Sequence, residues 1–338
     1  MKLFDLHCDT LYEAWRQNLS PFHSDRLMVA FNRVPFALHR QVMAIWCDSS
    51  LDDSAAYDNF EKILAYAKNR EAEESQTPKS GDTPRPSSLP LRTARPEIPP
   101  LSDEKNEPAC RRVFPILAVE DARLLPHPEC LRTLYDKGVR LLTLTWKGHS
   151  RYGGSWDTDE GLTKQGAELL RLAGELGVAI DLSHASDRLF FEALPLAEKW
   201  GTRLLASHSN SRALCPHPRN LTDEMFRALV RQGGLVGVSI VPHHLAAGRP
   251  ARFSDVIDHF LHFLSLGGEE SLAFGSDFDG VEELPSGVTG IESVPALYDA
   301  LAAKTSIAVA DKVFFENAER FFAPLVSDGQ ARVFTIQD

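Results

Sequence analysis

Eight short apolar or β-branched runs recur along the chain, and most of the gaps between them carry the 3.6-residue periodicity of a helix. The runs cover 3–6, 42–45, 113–119, 139–145, 178–182, 203–206, 235–240 and 272–274. Several gaps also carry helix-end signals. Thr163 stands as an N-cap before Ala167, Leu169, Leu170 and Ala173, and Gly177 closes that stretch. Ser186, Thr222 and Ser254 open others, which stop near Gly201, Gly233 and Gly267. Strands alternating with helices imply right-handed βαβ units and a parallel sheet, and eight such units close a (β/α)₈ TIM barrel. An open doubly wound sheet is the competitor, but no GxGxxG turn follows the first run. The expected fold class is therefore α/β, one catalytic barrel spanning 1–338.

One stretch breaks this rhythm. Residues 71–112 hold eight of the 21 prolines and no aromatic residue, so they offer little to a core and are expected to form a surface insertion. Acidic residues exceed basic ones by 47 to 36, and the resulting net charge of -11 repels nucleic acid and anionic lipid surfaces. No run approaches the ~18 apolar residues of a membrane span. The five cysteines are odd in number, widely spaced and without a CxxC pair, which points away from disulfide staples and thiolate zinc sites. A soluble, cytoplasmic protein is the expectation, with a small ligand or a metal as its partner.

In such a barrel the chemistry sits where strands end and loops begin. Five of the eight runs end in histidine or carboxylate: Asp5-Leu6-His7-Cys8-Asp9, Val119-Glu120-Asp121, Asp181-Leu182-Ser183-His184, Ser207-His208-Ser209 and Gly275-Ser276-Asp277-Phe278-Asp279. Alternation along a strand puts Asp5, His7 and Asp9 on one face and Cys8 on the other, in packing. Singly, each histidine or carboxylate has a structural reading as a hydrogen-bonded residue or a helix cap. His23, His39, His127, His217, His259 and His262 are read that way, with His243 and His244 undecided. Jointly, His7, Asp9, Glu120, His184, His208 and Asp277 bring three imidazoles and three carboxylates to one barrel mouth. Burying them without cations is costly, and two divalent ions would compensate them. Nitrogen and oxygen donors without thiolate suit Zn²⁺ or a related ion, and Glu120 could bridge two ions about 3.5 to 4 Å apart. Hydrolysis is the reaction class such a pair supports.

The stretches DLHCDT at 5–10, AVED at 118–121, GVRLLTLTW at 138–146, GLTKQGAELLRLAGELGVAIDLSH at 161–184, SHSNSRALCPHPRNLTDE at 207–224 and GSDFDG at 275–280 together resemble the membrane (renal) dipeptidase family of zinc peptidases. The resemblance spans nearly the whole chain. It implies a metal-dependent hydrolase barrel with two Zn²⁺ per subunit, a free dipeptide as substrate, and a homodimer. Carried over by position, it implies that His7 and Asp9 hold one ion, that Glu120 bridges both, and that His184 with His208 holds the other. A metal-bridging hydroxide would attack the peptide carbonyl, with Asp277 and Glu120 as the catalytic carboxylates. Arg219 would take the substrate carboxylate as a bidentate pair, and Asp277 the substrate ammonium. Where many members have a histidine after the LTLT run, this chain has Trp146. His149, three residues on in a glycine-rich loop, either reaches the substrate in its place or faces solvent. The alternatives are another dinuclear-metal amide hydrolase, for N-acyl amino acids or lactams, or a metal-stabilised binding protein impaired in catalysis.

Overall fold

The computed structural model describes residues 1–29, 36–48, 50–76 and 113–326. Eight parallel strands close a barrel in chain order. They are β1 (Leu3–Cys8), β2 (His39–Trp46), β3 (Val113–Glu120), β4 (Val139–Thr143), β5 (Ala179–Asp181), β6 (Leu204–Ala206), β7 (Leu235–Val238) and β8 (Leu272–Phe274). Each apolar run of the sequence lies on one of them, and the ring closes where Asp5 of β1 faces Phe274 of β8.

The helix starts follow the capping chemistry. The hydroxyls of Thr163, Ser186 and Thr222 accept the backbone N–H groups of Gly166, Leu189 and Met225 at 3.0, 3.0 and 3.2 Å. Ser254 does not cap its helix, which begins one residue earlier as Phe253–Ser265. There the Asp255 carboxylate reaches back to the Arg252 N–H at 2.8 Å. The helix Asp53–Gln76 runs six residues into the stretch expected as an insertion, because Glu71–Gln76 lacks proline. The rest of that expectation, 77–112, lies outside the described residues.

Two apolar layers sort the strand residues. Phe4, Leu6, Val42, Ala44, Ile116, Ala118, Leu141, Ala179, Leu205, Leu235 and Ala273 form one cluster, and since all eight strands contribute, it fills the barrel interior. Phe315, Ala318, Phe321, Phe322 and Leu325 join it from the C-terminal helical stretch and close the N-terminal end of the cylinder. The other strand faces pack outward on the helices. At about 25 cal/mol per Å² of apolar surface, these two layers dominate the folding free energy.

β1 departs from simple alternation. Three steps from Asp5 to Cys8 are matched by only two on β2, from Gln41 to Met43, so β1 carries one extra residue, a bulge. Leu3 and Cys8 accordingly face the outer layer while Phe4 and Leu6 face the interior. The expectation that Asp5 shares a face with His7 and Asp9 fails here. The Asp5 carboxylate instead accepts from the Ser276 N–H at 2.8 Å and hydroxyl at 2.6 Å, tying β1 to the end of β8.

Candidate metal centre

The bulge re-aims the end of β1 so that His7 and Asp9 point toward the mouth of the barrel, where the ends of β3, β5, β6 and β8 converge. Glu120 lies at the centre of the group. Its Oε1 is 3.7 Å from His7 Nε2, 2.9 Å from His184 Nε2 and 3.5 Å from His208 Nε2. His7 Nε2 is also 3.6 Å from Asp9 Oδ2 and 3.9 Å from Asp277 Oδ1. All six residues that the strand-end argument singled out therefore meet in one place. Three overlapping triads among them have ligand atoms close enough to share an ion: His7 with Asp9 and Glu120, Glu120 with His184 and His208, and His7 with His208 and Asp277.

The hydrogen bonds behind the ring nitrogens decide how each imidazole presents itself. His184 Nδ1 faces the Trp146 carbonyl at 3.0 Å, and since a carbonyl only accepts, Nδ1 carries the hydrogen. Ser207 Oγ donates to Asp181 Oδ2 at 2.6 Å and so accepts from His208 Nδ1 at 2.7 Å. Both Nε2 lone pairs are thus turned toward the cluster, only 2.9 Å apart. Two lone pairs facing each other at that distance call for positive charge near them: the Arg219 guanidinium, with Nη2 2.9 Å from His184 Nε2, donates to one, and His208 Nε2 is left to the cluster. A backbone carbonyl behind the ring, as at His184, is a usual outer partner of a metal-binding histidine. His7 Nε2 and Asp9 Oδ1 are buried with no hydrogen-bond partner among the described residues. An ion would satisfy both, so the donor set fits divalent metals of the zinc type.

Charge tells the same story. Burial alone would push the His7 imidazole down, but Glu120, Asp9 and Asp277 outweigh it and hold its pKa up to about 10. Burial, reinforced by the Asp9 charge, pushes Glu120 well above the usual carboxylate range, and burial lifts Asp277 to about 6. Burial, with the charges of Arg219 and His7, pushes His184 and His208 down. The cluster holds more negative charge than it can bury comfortably and takes up a proton in compensation.

A cavity of about 780 Å³ opens over the cluster, with Asp9, Glu120, His184, Arg219 and Asp277 in its lining. Arg219 is buried, its Nη2 2.9 Å from His184 Nε2 and its Nη1 without a hydrogen-bond partner among the described residues. Such a guanidinium, with one free donor arm, is equipped to take a carboxylate.

A family model described as membrane dipeptidase, peptidase family M19, matches residues 99–326. The chain belongs to the membrane dipeptidase family. With that membership it is a peptide-bond hydrolase whose chemistry depends on metal. An uncharacterized protein in the pqqA 5′ region of Klebsiella pneumoniae is 36% identical over 202 residues, which cover 55% of this chain and 72% of that protein. Dipeptidase 3 of Mus musculus is 31% identical over 182 residues, 52% of this chain, but the match spans only 36% of the mouse protein. Among solved structures, one described as dipeptidase AC, a metallo peptidase of family M19, has a TM-score of 0.74 at 22% identity, covering 98% of this chain and 99% of that one. A metallo peptidase from Rhodobacter sphaeroides, liganded with a phosphinate mimic of the dipeptide L-Ala-D-Ala, has a TM-score of 0.72 at 21% identity and covers 96% and 99%. Those two likenesses are of fold.

Against this family frame, two sequence expectations change. His149 is not in the cavity lining. Its ring is more than half exposed and contacts Glu160 on the same loop, so of its two readings the structure has the solvent-facing one, and the role as a substrate contact is corrected. His217, read as structural, lines the cavity instead, beside His243 and His244. Trp146 occupies the family's histidine position twice over: its carbonyl orients His184, and its ring, 5.1 Å from that of Trp46, walls the cavity.

Sequence reasoning also passed over Gly280. A Cβ there would fall inside contact distance of the Asp9 and Asp277 carboxylate oxygens, so glycine keeps open the space in which those two groups meet. Asp277 and Asp279 both take the left-handed conformation, at φ 65° and 64°. That costs of order 1 kcal/mol or more per residue, and here it turns the two carboxylates to different duties. Asp277 enters the cluster. Asp279 accepts from the Thr10 hydroxyl at 2.6 Å and the Met28 N–H at 2.7 Å, which anchors the loop after β1. Nothing in the sequence signals this division, since alternation would put Asp277 and Asp279, two residues apart, on one face.

Proposed function

We propose that the protein hydrolyses free dipeptides, using two zinc-type ions held by His7, Asp9, Glu120, His184 and His208. The observation that carries this reading is the placement of Arg219 on the His184 side of Glu120 and of Asp277 on its His7 side. A cationic and an anionic group thus flank the ligand cluster. A substrate with both a free carboxylate and a free ammonium, one residue apart on either side of the scissile bond, would satisfy them together.

Divalent ions in such a cluster supply a water acidified toward neutral pH and a Lewis acid for the carbonyl. The side chains do the rest. Arg219 binds the terminal carboxylate and fixes the register of the peptide. The Trp146 carbonyl and Ser207 hydroxyl hold His184 and His208 in the tautomer that offers Nε2. Asp277, beside His7 at the open side of the cluster, accepts the proton of the attacking water and returns it to the leaving amine. Because Arg219 and Asp277 engage the two ends of the substrate, longer peptides and blocked dipeptides bind poorly.

The test pairs metal analysis of the purified protein with a panel of free dipeptides, N- or C-blocked dipeptides and N-acyl amino acids. Hydrolysis of free dipeptides at two tightly held ions per chain is the expected result. Full activity on blocked dipeptides and none on free ones would overturn the reading in favour of another amide hydrolase. Binding of dipeptides without turnover across the panel would identify a protein that has lost catalysis.

A further inference from the structure

The Glu120 cluster is not the only group of metal donors in the cavity. His217 stands in the loop after β6, and His243 and His244 lie in the short helix Pro242–Leu245 after β7. One ring nitrogen from each comes within 4.8 Å of the other two. The rings are crowded together, with centroids 4.6 Å apart for His217 and His244 and 4.2 Å for His243 and His244. His217 Nδ1 accepts the Arg219 backbone N–H at 3.2 Å, which leaves Nε2 as the nitrogen it can offer. Among the described residues, no hydrogen bond engages the imidazole of His243 or His244.

Burial lowers the pKa of all three, helped by the nearby Arg219 charge, so at neutral pH they are uncharged and carry free lone pairs. Three neutral imidazoles with no carboxylate among them make a donor set for first-row transition ions, with coordination positions left for water or ligand. Magnesium and calcium, which take oxygen donors, are not served by it.

The geometry points to a further divalent-metal site formed by His217, His243 and His244, separate from the Glu120 cluster and selective for Zn²⁺ or Ni²⁺. It is the weaker of the two, for a physical reason. The Glu120 cluster brings carboxylates that neutralise an ion, whereas these three donors neutralise nothing and sit close to a guanidinium. The site fills in metal excess and places a second positive charge on the wall that carries Arg219. It does not depend on the dipeptidase reading, since it requires only the three side chains.

Equilibrium dialysis of the purified holoprotein against rising free Zn²⁺, with bound metal counted by elemental analysis, tests it. The expected result is one further ion per chain beyond the tightly held complement. His243→Ala, which alters an exposed side chain, should bind that ion at least about tenfold more weakly and keep both the tight complement and the unfolding midpoint. His244→Asn should do the same, and Ni²⁺ in place of Zn²⁺ should follow the same pattern. Absence of a further ion in the unaltered protein overturns the site, as does its persistence in His243→Ala. Loss of the tight complement in His243→Ala would overturn it too, because the two sites would not be separate, whereas a lack of dipeptide hydrolysis by the unaltered protein would count only against the proposed function, so the two failures are distinguishable.

Discussion

The two ends of the barrel are built from the same eight strands and have opposite chemistry. At the N-terminal end Phe315, Phe321, Phe322 and Leu325 seal the cylinder against Phe4 and Leu6, and the buried Arg140 beside them is satisfied, its Nε donating to the Leu325 carbonyl at 3.0 Å. At the C-terminal end three imidazoles and three carboxylates crowd together, with lone pairs facing one another and two buried polar atoms lacking partners. One end lowers the free energy of the fold, and the other gathers buried charge that a proton compensates in part and a bound cation would compensate further. The contrast explains why function clusters at the end where strands give way to loops: loops can present polar groups that strand interiors must exclude.

Glu120→Gln is the sharpest way to break this contrast and should have the largest effect. It removes the carboxylate that touches all three histidines, so peptidase activity should fall to background and tightly bound metal should be lost. The unfolding midpoint of the metal-free protein should hold or rise, because a buried charge has gone. A stable, metal-free variant that retained activity would refute the site.

Phe322→Ala makes the complementary change at the sealed end. The ring is buried and packs 5.3 Å from Phe4, so its loss should cost about 3 to 5 kcal/mol in denaturant unfolding. The Michaelis constant and the metal content of the folded fraction should not move. A change in either would mean that the two ends are coupled.

Acid stability gives a smaller effect, to which the sealed end contributes through one residue. His39, at the start of β2, is buried against Gln41, and burial pushes its pKa down to about 4 from an ordinary value near 6.5. Above pH 6.5 the group is neutral in both folded and unfolded chains and adds no pH dependence. As pH falls from 6.5 toward 4 the unfolded chain takes up the proton first, so stability is lost across that window at up to about 1.4 kcal/mol per pH unit. His39→Gln should flatten the acid limb of a stability-against-pH curve measured on metal-free protein, and an unchanged slope would contradict it.

Gly280→Ala should have the mildest consequence. The added methyl displaces Asp9 or Asp277 without removing either, so metal affinity should fall by about 10- to 100-fold with the fold intact. Competition with a chelator would measure it, and unaltered affinity would show that the carboxylates have room to spare.

The barrel was legible because its signals are local. A β-branched run makes a strand, a Thr163 or Ser186 hydroxyl starts a helix, and a glycine ends one, whatever lies elsewhere in the chain. The cluster was legible for a related reason, since strand ends are places the fold brings together, and reading residues at five of them was enough to name the six that meet. His149 stayed open between substrate and solvent because a loop's path depends on what it meets, and here Glu160 captures the imidazole. His217 does hold a structural hydrogen bond, from the Arg219 N–H, but its place in the cavity wall was not legible, because nothing near it in the sequence reveals that His243 and His244, some 26 residues on, will stand across from it.

What the order of residues determined by itself, then, is the set of strands and helices, their closure into a cylinder, and the identity of the donors gathered at its mouth. What only the tertiary structure decided is where each donor points. The extra residue in β1 turns His7 in, while Asp5, before it, keeps the outward register of Leu3. The carbonyl of Trp146 and the hydroxyl of Ser207 choose the tautomers of His184 and His208, and Gly280 clears the space between two carboxylates. Periodicity and capping act over one or two turns of chain, whereas orientation is set by contacts between residues tens to hundreds of positions apart, which exist only once the barrel has closed.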